Sequence, residues 1–409
     1  MSVRTEGQGS SGPPPVFCPC FLPLCSAPVS PRFARFKPQP VVLVEFASLK
    51  IACIIHSLDG GGAERVIASL ATRLGDRGHE VALITLDDGK NDRHEVGTAV
   101  RRVTLDVMAS APSSLFSKLT NRRRRLAAIK RAVENESPDV VLSFCDRTNI
   151  DVLSALKRAS YPVVVSERSD PDQQSLGWFW QFMRRRTYRN RQVIALTDTA
   201  AAHLQPFCRQ KVTVIPSAVD QPPLISDRST AAQNRLIIGI GRLEKEKGFD
   251  RLLEVFYKVT QQHQRWQLRI LGEGSLRADL EKLATDLGIA DRVQLPGWVR
   301  PVWGELAAAT LFVLPSRYEG FPSALLEAMV TGVPSVAVDC ESGPRAIIDN
   351  ESNGLLVGNT ISDLTIGVHR LIENAELRER LGVEGRKVGE RFGWDAMVDQ
   401  YEEVLKKAR

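Results

Sequence analysis

"PSRYEGFPSALLEAM", residues 315–329, sets Glu319 and Glu327 eight positions apart, with Gly320, Phe321 and Pro322 between them. The stretch before it, "LFVLPS" at 311–316, opens with an apolar run of strand length. Pro322 suits a first helical turn, because its missing N–H would be unpaired there anyway. Gly332 and Pro334 are stop signals, so the helix is predicted to run to about Thr331. The whole reads strand, loop, helix. In an α/β sheet that arrangement puts the loop at the carboxyl end of a strand and aims the helix N-terminus at whatever binds there.

The surrounding text repeats the pattern. Strands are predicted at "KIACII" (50–55), "VALITL" (81–86), "VVLSF" (140–144), "PVVVS" (162–166), "VIAL" (193–196) and "VTVIP" (212–216), with helical stretches between. "DQPPLISDRST", 220–230, reads as a linker. A second series follows: "RLIIGIGR" (235–242), "QLRILG" (267–272), "VQLPG" (293–297), "LFVLPS", "SVAV" (335–338) and "GLLV" (354–357). Strands apolar on both faces and alternating with helices imply parallel sheets covered on both sides. The expected fold is α/β, two doubly wound, Rossmann-like domains facing a cleft. The domains are expected at 49–220 and 221–392, after a disordered extension over 1–48 that is rich in Pro, Gly and Ser.

Bulk properties narrow the function classes. The chain has 409 residues, 43% hydrophobic and 25% charged, the composition of a globular protein. No apolar run approaches membrane-spanning length. The seven cysteines, at 18, 20, 25, 53, 145, 208 and 340, form no paired framework, and reduced thiols in a cytoplasmic protein are expected. The six histidines show no metal-ligand spacing. His56 follows the first strand and is placed to line the cleft, where a lone histidine is more often structural than catalytic. Residues 50–220 carry 26 Lys+Arg against 19 Asp+Glu, while residues 221–409 carry 24 against 27. A basic half joined to a mildly acidic one points to an anionic partner for the first half, or simply to surface solubility.

The chemistry of the second half is more specific. Free N–H groups and the dipole at the start of the Glu327 helix favour a negative or hydroxyl-rich ligand. Gly320 allows close backbone approach, and carboxylates accept hydrogen bonds from vicinal hydroxyls. "GIGRLEKEKGF" puts Arg242 and Lys247 just past the carboxyl end of the domain's first strand, as cations suited to a leaving diphosphate. Hydroxyl-rich and anionic together describe a nucleotide sugar.

Taken together, "GRLEKEKGFDRLL", "ILGEGSLRADLEKL", "VQLPGW" and "LPSRYEGFPSALLEAMVTGVPSVAVDCESGPRAII" resemble the retaining glycosyltransferases of family 4, which have the GT-B fold. The resemblance covers roughly residues 50–405. "DGGGAERV" is similar to members that extend lipid-linked oligosaccharides and polysaccharides. It implies that Glu319 binds donor-sugar hydroxyls with backbone groups of Gly320, Phe321 and Pro322, and that Glu327 binds the ribose. Arg242 and Lys247 would hold the diphosphate, backbone near Trp298 would lie beside the base, and Gly61 and Gly62 would close over donor and acceptor. The last helix, within 393–409, would cross back to the first domain. No metal ion or other cofactor is expected. The implied mechanism is front-face attack by the acceptor hydroxyl, with the departing phosphate taking its proton. The donor is expected to be UDP-linked. The acceptor is expected to be a saccharide linked to polyprenyl diphosphate, met at the inner membrane face by a cytoplasmic, peripheral enzyme.

Many family members carry a histidine in a first-domain loop near the sugar. The corresponding "SERSDP", 166–171, has none, so Glu167 or Arg168 is placed at the cleft instead, or the loop holds an ordinary ion pair. "LGWFWQFMRRRTYRNR", 176–191, is aromatic then basic and suits an interfacial helix on anionic lipid, with Arg184 and Arg185 as contacts; a core-packed helix with solvated arginines is the alternative. "NRRRRLAAIKRA", 121–132, adds a second basic stretch. Neither belongs to a nucleic-acid reading module, and no nucleic-acid partner is expected. Competing functions are a GT-B nucleotide-sugar epimerase, a glycoside hydrolase using Glu319 and Glu327, and a non-catalytic nucleotide-sugar sensor.

Overall fold

The computed structural model describes residues 48–108, 115–169, 177–340 and 342–409. The extension expected over 1–48 therefore lies outside the described residues, Ser48 excepted, as do Asp170 and Pro171 of "SERSDP" and Leu176.

Two parallel sheets account for the α/β reading. The first contains β1 (Lys50–Ile55), β2 (Glu80–Thr85), β3 (Val100–Thr104), β4 (Val140–Phe144), β5 (Val163–Ser166), β6 (Gln192–Ala195) and β7 (Thr213–Val214), in the order β3-β2-β1-β4-β5-β6-β7. The second contains β8 (Leu236–Ile240), β9 (Gln267–Leu271), β10 (Val293–Gly297), β11 (Leu311–Leu314), β12 (Ser335–Val338) and β13 (Leu355–Val357), in the order β10-β9-β8-β11-β12-β13. β3 was not anticipated. It is an edge strand, "VRRVT", with only Val100 buried, so it lacks the two-sided apolar pattern that marks its neighbours.

Alternation along each inner strand explains why both faces are covered. In β1, Ile51, Cys53 and Ile55 enter one core, while Ala52 and Ile54 enter the other. In β11, Leu311 and Val313 face one cluster, and Phe312 and Leu314 face its opposite. Each sheet is thus the middle layer of a three-layer domain. The last helix, Trp394–Ala408, contributes Trp394, Met397, Val398, Tyr401 and Leu405 to a core of the first sheet. Tyr401 reaches the carboxyl end of β5, its hydroxyl 3.0 Å from Ser166 Oγ.

Strand order also locates the site. In the second sheet the winding direction reverses between β8 and β11, and loops leaving neighbouring strands at such a reversal diverge and open a crevice. Arg242 and Lys247 follow β8, and Glu319 follows β11.

Candidate active site

The helix after β11 spans Ser323–Val330 and is preceded by the extended Pro322. Its sequence, "SALLEAMV", buries Leu325, Leu326, Ala328 and Met329 in the second domain. Glu327 is fully buried too, and a buried carboxylate requires partners. It finds two cations, one from each domain. Arg300 Nη1, from the segment after β10, donates to Glu327 Oε1 at 2.7 Å. Arg65 Nη1, from the first domain's helix Gly62–Asp76, lies 2.9 Å from the same oxygen. Glu327 Oε2 is buried with no hydrogen-bond partner among the described residues. The carboxylate is held in place with one acceptor oxygen to spare.

Glu319 lies in the loop before this helix, 6% exposed. Its Oε1 accepts hydrogen bonds from Lys247 Nζ and Ser316 Oγ, both at 2.7 Å. Its carbonyl accepts from Ser342 Oγ at 2.9 Å, which anchors the "SGP" turn beneath it. A methyl group on Gly343 would lie 2.6 Å from Pro322 Cδ and 3.1 Å from the Gly320 carbonyl oxygen, so that turn packs directly under Gly320–Pro322. Phe321 is buried edge-on against Phe392, 5.4 Å between ring centres. Arg242 is exposed and pairs with Glu246 at 2.9 Å. The nearby Tyr318 phenol is pushed up by burial and by the Glu246 carboxylate, with Arg242 and Glu319 acting in opposite directions.

The first domain meets this surface through small residues. Gly62 lies opposite the start of the Glu327 helix, where an added Cβ would be 3.7 Å from Ser323 Oγ. Gly61 is the residue before its own helix, and Glu64 folds back over it. At Gly60 a Cβ would be 2.7 Å from the Trp298 ring, and at Gly320 one would be 2.9 Å from the Arg168 carbonyl oxygen. Trp298 also meets His94 edge-on, with Arg93 5.1 Å above its ring. Burial and the Arg300 charge lower the His94 pKa. His56 pairs with Glu64 at 3.1 Å; burial opposes its charge, but Glu64, Asp87 and Asp146 outweigh it and raise the pKa.

The structure thus gathers Lys247, Glu319, Gly320 and Glu327 from the second domain and Gly62 from the first, with Trp298 on the same rim. Arg65, Arg93 and Arg300 were missed as contributors. Arg65 stands inside "DGGGAERV", and its spacing from Gly62 marks only a helix, so nothing local announces its partner.

On the first-domain side, Arg168 donates to Ser217 Oγ and lies 5.1 Å over the Phe144 ring. Arg184 is a correction. Expected at an acceptor or membrane surface, it is 1% exposed and faces Glu167 and Gln181 inside the domain. Helical periodicity turns Arg184 inward with Tyr188, while Arg185 stays exposed over the Phe207 ring. Glu167 accepts from Tyr188 Oη at 2.7 Å, and burial, reinforced by Asp146, raises its pKa to about 7. No helix among the described residues is long and apolar enough to cross a membrane.

Known proteins match this chain in sequence and in fold. The family model for glycosyltransferase family 4 matches residues 60–221, and that for glycosyl transferases group 1 matches residues 223–388. A Campylobacter jejuni α-1,4-N-acetyl-D-galactosaminyltransferase, named for a diNAcBac-PP-undecaprenol-linked substrate, is 27% identical over 76% of this chain and 85% of its own. The lipopolysaccharide core biosynthesis glycosyltransferase LpsD of Rhizobium meliloti is 27% identical over 85% of this chain and 95% of its own. The crystal structure of Anabaena HepE in complex with UDP and glucose superposes with a TM-score of 0.72, at 20% identity, over 88% of this chain and 99% of that one. Two consecutive family models laid over two parallel-sheet domains leave one assignment: the chain belongs to the family 4 glycosyltransferases of GT-B fold.

Proposed function

We propose that this protein transfers a sugar from a UDP-linked donor to a lipid-linked or polysaccharide acceptor, with retention of anomeric configuration and without a metal ion. The observation that carries the reading is the Lys247–Glu319 contact at the strand-order reversal, beside the buried Glu327. Lys247 and Glu319 satisfy each other. A bound donor would separate them, its diphosphate taking the ammonium and its sugar hydroxyls taking the carboxylate. Arg242 would supply the second charge on the leaving group, where transition-state charge develops. Glu319 is engaged by cation and hydroxyl, which favours hydroxyl binding over attack on the anomeric carbon. The acceptor hydroxyl would then attack from the face the phosphate leaves, passing its proton to the departing phosphate oxygen. The UDP in the HepE complex and the lipid-linked and lipopolysaccharide substrates in the relatives' names support the donor and acceptor classes.

A surface feature favours an acceptor met at an anionic membrane face. On the helix Gly177–Tyr188, Trp178 is 84% exposed and Phe182 56%, with Arg185 and Arg186 also exposed. Arg122 of the helix Leu115–Glu136 stacks 5.4 Å from the Trp180 ring, which brings the exposed Arg123 and Arg124 to the same region. Aromatic and basic side chains together suit the headgroup layer. Sedimentation with anionic vesicles should be lost in a Trp178→Ser/Phe182→Ser double variant.

The function is tested by incubating activated sugars with membrane extract and reading nucleoside diphosphate release. Release should require both a UDP-sugar and the extract, and NMR of the product should show the donor's anomeric configuration. Conversion of donor alone into an isomeric nucleotide sugar would instead establish an epimerase.

A further inference from the structure

We propose that the outer face of the second domain carries a zinc site formed by His263, His369 and Glu373. Each of these residues offers a ligand atom, and the atoms all lie within 4.8 Å of one another. His263 Nε2 is 3.6 Å from Glu373 Oε1, and His369 Nδ1 is 3.8 Å from the same oxygen. These separations are too long for hydrogen bonds. These two are close to the edge of a tetrahedron whose corners lie about 2.0–2.2 Å from a central ion, roughly 3.3–3.6 Å, and the third, between the imidazoles, is within 4.8 Å, so the side chains would draw in slightly on an ion. The spacing therefore leaves room for an ion among the three groups instead of joining them directly.

Two further observations point the same way. His263 Nε2 is buried and has no hydrogen-bond partner among the described residues, a costly state for a ring nitrogen unless something binds it. Glu373 is 60% exposed at its side chain, which opens a path for an ion from solvent. The backbone supports both imidazoles. His263 caps the helix Phe249–Gln262, its N–H donating to Val259 O at 2.9 Å. His369 and Glu373 sit one turn apart on the helix Ile361–Glu373, so both project from one face. The two imidazole centres are 5.3 Å apart.

Two imidazoles and one carboxylate are a borderline ligand set that suits zinc, with a fourth position left for water. The site would pin together the two helices that cover the donor-side sheet. It lies at the far end of the helix Phe249–Gln262 from Lys247, about 20 Å away at 1.5 Å per residue. It is thus a structural clamp that takes no part in transfer. Sequence spacing alone conceals it, because His263 belongs to a different helix from the other two ligands.

The test uses the full chain without a polyhistidine tag, stripped by chelator and titrated with cobalt(II) and then zinc(II). One equivalent of cobalt should give visible d–d absorption that zinc bleaches, and zinc should raise the melting temperature. His263→Ala and His369→Ala should each weaken binding by more than about 100-fold, beyond what loss of a supporting partner costs. Far-UV circular dichroism of the apo variants should match the parent, and nucleoside diphosphate release should be unchanged. Absence of saturable one-to-one binding, or zinc affinity equal in parent and both variants, overturns the proposal. Neither result bears on the transferase reading, which the release assay tests separately.

Discussion

Arg65 Nη1 and Glu327 Oε1 lie 2.9 Å apart, joining the first helix of one domain to the helix that follows β11 in the other. Arg300, from the second domain, donates to the same oxygen at 2.7 Å. One fully buried carboxylate therefore pairs with two arginines, and it is also the group proposed for the donor ribose. Glu327→Ala would leave Arg300 without its carboxylate and Arg65 with only the more distant Asp220, 3.8 Å away. Truncating one partner of a buried charge pair costs about 3–5 kcal/mol. The urea midpoint should fall accordingly, and calorimetry with UDP should show affinity lost. A variant of unchanged stability would dissolve the claim that this contact holds the domains.

Lys247 and Arg242 separate stabilisation of the leaving group from simple charge at the surface. Lys247→Ala and Arg242→Ala should each lower kcat by about 100- to 1000-fold, the range for losing one preorganised donor to a developing negative charge. Michaelis constants should change less. Near-normal turnover in both would remove the diphosphate assignment while leaving the fold untouched.

Close approach of the two domains makes a different prediction. The Cβ of a Gly320→Ala variant would come 2.9 Å from the Arg168 carbonyl oxygen and 3.0 Å from Ser169 Cα. Backbone cannot swing aside as a side chain can, so the two edges must separate. We expect kcat to fall at least tenfold with little change in melting temperature, because Gly320 lies on the rim and not in either core. Equal loss of both quantities would mean that the loop itself had misfolded.

Glu167 governs a pH response. Burial, and next the Asp146 carboxylate, raise its pKa from 4.5 to about 7. Between those values the native state keeps a proton that the unfolded chain has released. The contribution of this group is therefore fully present below about pH 4.5 and is lost as pH rises through 7. Glu167→Gln keeps an acceptor for Tyr188 and has nothing to titrate, so its melting temperature should decline less than the parent's between pH 5 and pH 8. Parallel profiles for the two proteins would assign the slope to other groups.

Much of the architecture was written in local pattern. Two-sided apolar runs such as "VVLSF" and "LFVL" could only be inner parallel strands, and Pro322 and Gly332 bracketed the helix carrying Glu327. The polar edge strand β3 escaped because only Val100 and Val103 of its five residues are apolar, too few to mark a strand by pattern. Arg184 was misjudged because composition alone does not say which side of a basic helix turns inward.

Sequence by itself determined the alternation of strands and helices and the chemistry gathered at two strand ends, since periodicity and backbone preferences act within a few residues. Tertiary structure alone decided which distant charges meet. Lys247 with Glu319, Arg65 with Glu327, and His263 with His369 and Glu373 are brought together by strand order and domain packing. Such pairings depend on where whole elements come to rest, which no local spacing encodes.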